Sequence, residues 1–104
     1  MLAVLLESEG FRVQTASNGA EALTAMHATR PSVIVLDLMM PIMSGDEFRR
    51  RQLSEPEYAN VPVICMTAAH DGPQRAQNMH ATQYFQKPVD FDRLITAVRQ
   101  LARA

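Results

Sequence analysis

Three short apolar runs stand out along the chain. They lie within residues 33–45, 61–67 and 84–88, and the first opens with four aliphatic residues in succession. Continuous aliphatic runs of this length are typical of strands that are buried on both faces of a parallel sheet. The sequence therefore predicts three such strands. A loop follows the first, because Pro41 and Gly45 cannot continue a strand.

Helical patterns fill most of the remaining chain. They are found in residues 1–9, after Asn18, in residues 46–53, in residues 74–80 and after Asp90. Asn18 and Glu21 form a capping pair for the second of these helices. The last helix has the clearest apolar stripe, which consists of Phe91, Leu94, Ile95, Val98 and Leu101. Gly10 suits the position that follows the first helix.

Residues 11–15 alternate apolar and polar side chains, which predicts a short, half-exposed strand. Strands that alternate with helices indicate an α/β fold with a parallel sheet and right-handed crossovers. A chain of 104 residues without repeats or linkers is expected to form one domain. The sequence therefore predicts a doubly wound, single-domain α/β protein.

At the end of each apolar run stands a residue whose side chain is charged or carries a hydroxyl group. These residues are Asp37, Thr67 and Lys87. Ligands of open α/β sheets bind at the carboxyl edge of the strands, so we expect these three side chains to meet there. A carboxylate, a hydroxyl and an ammonium suit phosphoryl transfer to Asp37, with the other two groups binding phosphoryl oxygens. A small rotatable ammonium fits a single oxygen better than the broad fork of arginine does.

Each of these residues also has a purely structural interpretation. Asp37 could end its strand as a simple cap, and Thr67 could be an ordinary strand-end hydroxyl. Lys87 could be a surface lysine that happens to precede a proline, and Tyr84 a half-buried strand aromatic. The three histidines of the chain lack the spacing of metal ligands.

The motifs resemble those of the receiver domains of two-component response regulators. The matching pieces are Leu-Asp-Leu-Met-Met-Pro at 36–41 with Ser-Gly at 44–45, Pro-Val-Ile at 62–64 leading to Thr-Ala at 67–68, and Tyr-Phe-Gln-Lys-Pro at 84–88. The resemblance implies a flavodoxin-like sheet with strand order 2-1-3-4-5. It also implies that Asp37 is the phosphoacceptor, Lys87 the phosphate-binding lysine, Thr67 the switch hydroxyl and Tyr84 the switch aromatic.

One part of the family pattern is absent from the sequence. Receiver domains open with a hydrophobic strand that ends in two acidic residues holding Mg²⁺, whereas this sequence begins inside the first helix. We therefore expect a receiver domain over residues 1–104 that is truncated at its amino terminus and lacks its first strand. Of the Mg²⁺ ligands, only Asp37 and the backbone carbonyl of Met39 remain, which predicts an incomplete metal site.

The resemblance implies a phosphorelay module rather than an enzyme with a separate substrate, and a histidine kinase or phosphotransfer protein as its partner. A degenerate receiver that only binds partners is the main alternative. A phosphatase of the haloacid dehalogenase type is a remote one, because such enzymes place a second aspartate two residues after the nucleophile, where this chain has Met39.

Composition narrows the choice of partners. Ten basic and eleven acidic residues nearly balance, and the only basic cluster, residues 49–51, is expected to be a solvated helix face rather than a nucleic-acid contact. No apolar stretch approaches the roughly 20 residues of a membrane span. The single Cys65 lies in an apolar run, which favours a buried, reduced thiol and a cytoplasmic protein.

The expected loss of an interior strand also predicts a folding problem. Either residues 11–15 shift to pair directly with residues 33–36, or the open strand edge recruits another chain. We expect the isolated chain to be dimeric, aggregating or partly unfolded.

Overall fold

A computed structural model describes residues 2–102, which form five helices and three strands. In chain order these are α1 (Leu2–Ser8), α2 (Gly19–Ala28), β1 (Ile34–Asp37), α3 (Gly45–Leu53), β2 (Val63–Thr67), α4 (Gly72–Asn78), β3 (Gln83–Gln86) and α5 (Phe91–Ala102). The predicted elements are thus confirmed, except for the strand at residues 11–15. The prediction of a helix at Met1 lies outside the described residues.

The three strands are parallel and stand in the order β1-β2-β3. Two apolar cores cover the sheet: Met26 of α2, Phe48 of α3 and Ala76 of α4 belong to the first, while Leu6 of α1 and Leu94 of α5 belong to the second. Helices therefore lie on both faces. The α/β prediction of a doubly wound, flavodoxin-like fold that lacks a strand is confirmed.

Local sequence signals explain where the helices begin and end. The side-chain oxygen of Asn18 accepts a hydrogen bond from the Glu21 N–H at 3.0 Å, and the Glu21 carboxylate in turn accepts one from the Ser17 N–H at 2.8 Å. The first bond satisfies an amide group that the first turn of a helix leaves free, and the second ties down the residue before the cap. Gly10, just after α1, has a φ of 94°, which is the left-handed conformation that favours glycine.

The predicted strand at residues 11–15 is wrong. These residues have no regular secondary structure, and they do not pair with β1. A cavity of about 760 Å³ lies between them, with residues 11–16 on one side and Val33 and Val35 on the other. A strand exists only through a hydrogen-bonded neighbour, and among residues 2–102 none occupies the space between this segment and β1.

Three further expectations need correction. Strand β1 is only half-buried at Ile34 and Val35, because it forms the edge of the sheet and borders the cavity. Phe91 is 42% exposed, since it is the first residue of α5 and lies before the buried part of the stripe. Arg49 is only 5% exposed and does not belong to a solvated face, because the carbonyl groups that end α4 accept hydrogen bonds from its guanidinium.

Candidate functional site

Asp37 is the last residue of β1 and lies at the carboxyl edge of the sheet. Its flanking residues Leu36 and Leu38 are almost completely buried, which fixes the backbone on both sides of the carboxylate. Oδ1 of Asp37 accepts a hydrogen bond from the Met39 N–H at 3.0 Å. The side chain is 28% exposed, so the carboxylate is oriented by the protein and still open to solvent.

Lys87 follows β3, and its ammonium reaches Asp37 across the end of the sheet. Nζ lies 2.5 Å from Oδ2 of Asp37, and the lysine side chain is 40% exposed. The Lys87 N–H donates to the Thr67 carbonyl at 3.0 Å, which ties the backbone of this loop to the end of β2. The peptide bond between Lys87 and Pro88 is cis. The structure therefore brings together the two charged residues that the sequence singled out.

Thr67 ends β2, the strand between those that deliver Asp37 and Lys87, and it is fully buried. Its Oγ1 accepts a hydrogen bond from the Ala69 N–H at 3.1 Å. Among the described residues no hydrogen bond joins this hydroxyl to Asp37. The Thr67 hydroxyl thus lies on the neighbouring strand of the site, with its own proton still available for donation.

Tyr84 lies in β3 opposite Cys65 of β2. Its hydroxyl is buried and has no hydrogen-bond partner in the part of the chain that the structure describes. The ring packs beside Gly72, the first residue of α4, and beside the methyl group of Thr67. Tyr84 and Thr67 therefore share one packing environment, although neither side chain hydrogen-bonds to the other.

The sequence did not predict an ion pair that lies at the margin of the site. The guanidinium of Arg75, in α4, binds the carboxylate of Asp46, in the first turn of α3, and Nη1 of Arg75 lies 3.5 Å from Sδ of Met39. The hydrogen bond to Asp46 raises the pKa of Arg75 further above its ordinary value. This pair joins α4 to the start of α3, and the contact with Met39 reaches the loop that follows Asp37. Because 29 residues separate the partners, no local pattern indicates it.

The thiol of Cys65 is buried and belongs to the packing rather than to the site. Burial raises its pKa to about 11, so the thiolate, which is the nucleophilic form, is scarce at neutral pH. All three histidines are exposed. No helix in residues 2–102 is both long and apolar enough to cross a membrane.

The residues at the site do not fit a complete Mg²⁺ centre. Mg²⁺ requires near-octahedral oxygen ligands, usually with carboxylates among them. In the described part of the chain, no group of three or more aspartate, glutamate, histidine or cysteine side chains could hold a metal ion. Of the acidic side chains near the site, Asp37 contacts Lys87 and Asp46 is engaged by Arg75.

The chain matches the family model described as "Response regulator receiver domain" over residues 1–99. It is 34% identical over 100 residues to the phosphate regulon transcriptional regulatory protein PhoB of Rhizobium meliloti, covering 94% of this chain and 44% of that protein. It is 33% identical over 105 residues to the response regulator PleD of Caulobacter vibrioides, covering 99% of this chain and 23% of that protein. The chain thus spans less than half the length of these two relatives.

A solved structure supports the same relationship. The signal receiver domain of a signal transduction histidine kinase from Syntrophus aciditrophicus superimposes with a TM-score of 0.89 at 30% identity, covering 98% of this chain and 79% of that one. Fold, strand-end motifs and sequence similarity agree over nearly the whole chain. We conclude that the chain belongs to the receiver domain family of two-component response regulators.

Proposed function

We propose that this chain is a phosphorelay module that accepts a phosphoryl group on Asp37 from a phosphohistidine of a histidine kinase or phosphotransfer protein. In this step the N–P bond of the donor breaks and its electron pair stays on the imidazole nitrogen. A P–O bond forms to an oxygen of the Asp37 carboxylate, which gives an acyl phosphate. The observation that carries the proposal is the contact of the Lys87 ammonium with the half-exposed carboxylate.

The side chains around Asp37 have distinct roles in this proposal. The Met39 N–H orients one carboxylate oxygen, while Lys87 compensates the negative charge on the other. As the phosphoryl group arrives, the rotatable ammonium moves with the charge to a phosphoryl oxygen. The Thr67 hydroxyl, which accepts only from Ala69, donates its proton to a second phosphoryl oxygen.

The acyl phosphate then biases a surface between two states, through Thr67 and Tyr84. The partner is a histidine kinase or phosphotransfer protein, and the chain acts with it in the cytoplasm. The chain is not an enzyme with a substrate of its own. Because the described residues contain no group of three or more ligating side chains that could hold a metal ion, we expect weak Mg²⁺ binding and slow phosphorylation for the chain as given.

Mass mapping after incubation with acetyl phosphate, in the presence and absence of Mg²⁺, tests the acceptor assignment. We expect a hydroxylamine-sensitive label on the peptide that contains Asp37, and no label after Asp37→Asn. Asp71→Asn is the matched control. Asp71 is an exposed aspartate, and the carboxylate that pairs with Lys87 is that of Asp37. A label on Asp46 or Asp71 that survives Asp37→Asn would refute the assignment.

A receiver domain that binds partners without phosphorylation is the second candidate function. The observation in its favour is the incomplete metal site, since residues 2–102 contain no group of three or more acidic, histidine or cysteine side chains that could hold a metal ion. If this candidate is correct, acetyl phosphate leaves no label on the parent chain. A partner kinase domain then binds the parent and Asp37→Asn with equal affinity.

A further inference from the structure

The hydroxyl of Tyr84 is held in an unfavourable environment. It is buried, and no donor or acceptor among residues 2–102 pairs with it. A buried polar group without a partner loses its hydration and gains nothing in return. The inward position of the tyrosine must therefore be stabilised by the packing of its ring, and rotation towards solvent would restore the lost hydrogen bond with water.

The packing that permits this inward position depends on a glycine. A Cβ atom at Gly72 would lie 2.4 Å from Oη and 2.9 Å from Cε1 of Tyr84, and 2.7 Å from Cγ2 of Thr67. These distances are shorter than any van der Waals contact between carbon or oxygen atoms. Gly72 does not have a positive φ, in contrast to Gly10. Left-handed backbone therefore does not explain the glycine, and an added Cβ would meet two constraints: the space that the tyrosine and threonine occupy, and Pro73, which disfavours a helical conformation for a preceding residue with a Cβ.

We propose that Gly72 is a positioning residue that sets the balance between an inward and an outward Tyr84. The missing side chain creates the space for the inward ring, whereas the unpartnered hydroxyl works against it. Opposing contributions of this kind keep two conformations close in free energy, as a switch requires. The role of this balance in signalling rests on the proposed function, but the steric control of Tyr84 does not.

The replacement Gly72→Ala is expected to shift the balance outward. The atom nearest the added methyl group is the far end of the tyrosine side chain, which can rotate away. The backbone at Gly72 is held by the hydrogen bond from its N–H to the Ala69 carbonyl at 3.1 Å. Displacement of the ring therefore requires less rearrangement than displacement of the helix start.

Acetylation with N-acetylimidazole, followed by peptide mass mapping, measures the accessibility of each tyrosine hydroxyl in the unphosphorylated 104-residue chain. We expect the acetylation rate of Tyr84 to rise about tenfold in Gly72→Ala if the inward state predominates about ten to one in the parent. Tyr58, which is 7% exposed and remote from Gly72 in sequence, is the internal reference and should keep its rate.

Gly19→Ala is the matched control. Gly19 also begins a helix, and its Cβ would collide with the side chain of Met43 at 2.7 Å, so the substitution disturbs packing without touching Tyr84. Equal acetylation of Tyr84 in Gly19→Ala and Gly72→Ala would overturn the proposal, as would an unchanged rate in Gly72→Ala. No phosphodonor is used, so failure here is distinct from failure of the phosphoacceptor assignment.

A second measurement covers the case in which Gly72→Ala does not fold. Because a Cβ at Gly72 would also lie 2.7 Å from Cγ2 of Thr67, the comparison is made with Thr67→Ser, which removes that methyl group. In Gly72→Ala/Thr67→Ser/Tyr84→Ala the collision with the ring is removed as well. A cooperative melt that returns only when Tyr84 is also replaced supports steric control through Tyr84. A triple variant as unfolded as Gly72→Ala/Thr67→Ser overturns it.

Discussion

Replacement of Lys87 by methionine separates the contribution of this residue to stability from its contribution to chemistry. Methionine retains much of the apolar stem and removes the ammonium that lies 2.5 Å from Asp37. Lys87 is 40% exposed and Asp37 is 28% exposed, so solvent screens the pair and its contribution to stability is about 0–1 kcal/mol. For a domain of this size, a loss of 1 kcal/mol lowers Tm by about 4–8 °C.

The expected effect on phosphoryl transfer is much larger. Among residues 2–102, Lys87 is the cation that contacts the carboxylate, and removal of one group that stabilises a transition state typically lowers the rate about 10²–10³-fold. We expect a loss of this size in the rate of labelling by acetyl phosphate. Lys87→Arg should lose less, because it retains the charge but presents it as a broad fork.

The matched control is Arg93→Met, which removes a cation that is 82% exposed and forms an ion pair with Asp90 rather than with Asp37. This variant should label at the parental rate. Labelling of Lys87→Met within about threefold of the parent, a difference of less than 1 kcal/mol, would refute the role of Lys87. A similar loss in Arg93→Met would show that net charge, rather than the contact, controls the reaction.

Three further predictions concern the fold. Arg49→Ala leaves buried acceptors on Gln52 and at the end of α4 without a donor. We therefore expect the free energy of unfolding, measured by urea denaturation, to fall by about 2–5 kcal/mol, and a fall below about 1 kcal/mol would contradict this. Burial raises the pKa of Cys65 from 9.0 to about 11, so the unfolded chain loses this proton at a lower pH than the folded chain does. The free energy of unfolding should therefore fall as pH rises from about 9 to about 11. Cys65→Ala should remove this contribution when denaturation is measured across that pH range. The open edge of β1 should make the isolated chain dimeric, aggregating or partly unfolded in sedimentation, whereas a cooperative monomer that melts at about 45–65 °C would disprove this.

The sequence predicted those features of the site that follow from the topology of a parallel sheet. Parallel strands all end at one edge, so the polar residues that follow two of the apolar runs had to approach each other, and Lys87 does contact Asp37. Capping is also local, which is why Asn18 and Glu21 could be identified from their spacing. The roles of Asp37, Thr67, Tyr84 and Lys87 in phosphoryl transfer stay predictions.

The failures at residues 11–15 and at Arg49 involve partners that are distant in sequence. Alternation at residues 11–15 indicates a strand, but a strand also needs a neighbour, and the neighbouring space is a cavity. Arg49 belongs to a run of charged residues that is typical of a solvated face. Its burial depends on carbonyl groups at Met79 and His80, about thirty residues further along the chain. The space at Gly72 is equally invisible without the position of Tyr84.

The open edge and Asp37 lie on the same strand, yet we expect the geometry of the site not to depend on the edge. The contacts that hold Asp37 come from the other side: Leu38, directly after it, donates a backbone hydrogen bond to Met66 of β2 at 3.2 Å. Gly45 packs against the same turn, and a Cβ there would lie 2.9 Å from the Asp37 carbonyl oxygen. An apolar strand fused before Met1 should therefore raise Tm while the ratio of labelling rates between the parent and Lys87→Met stays constant. A ratio that changes together with Tm would show that the edge also shapes the site.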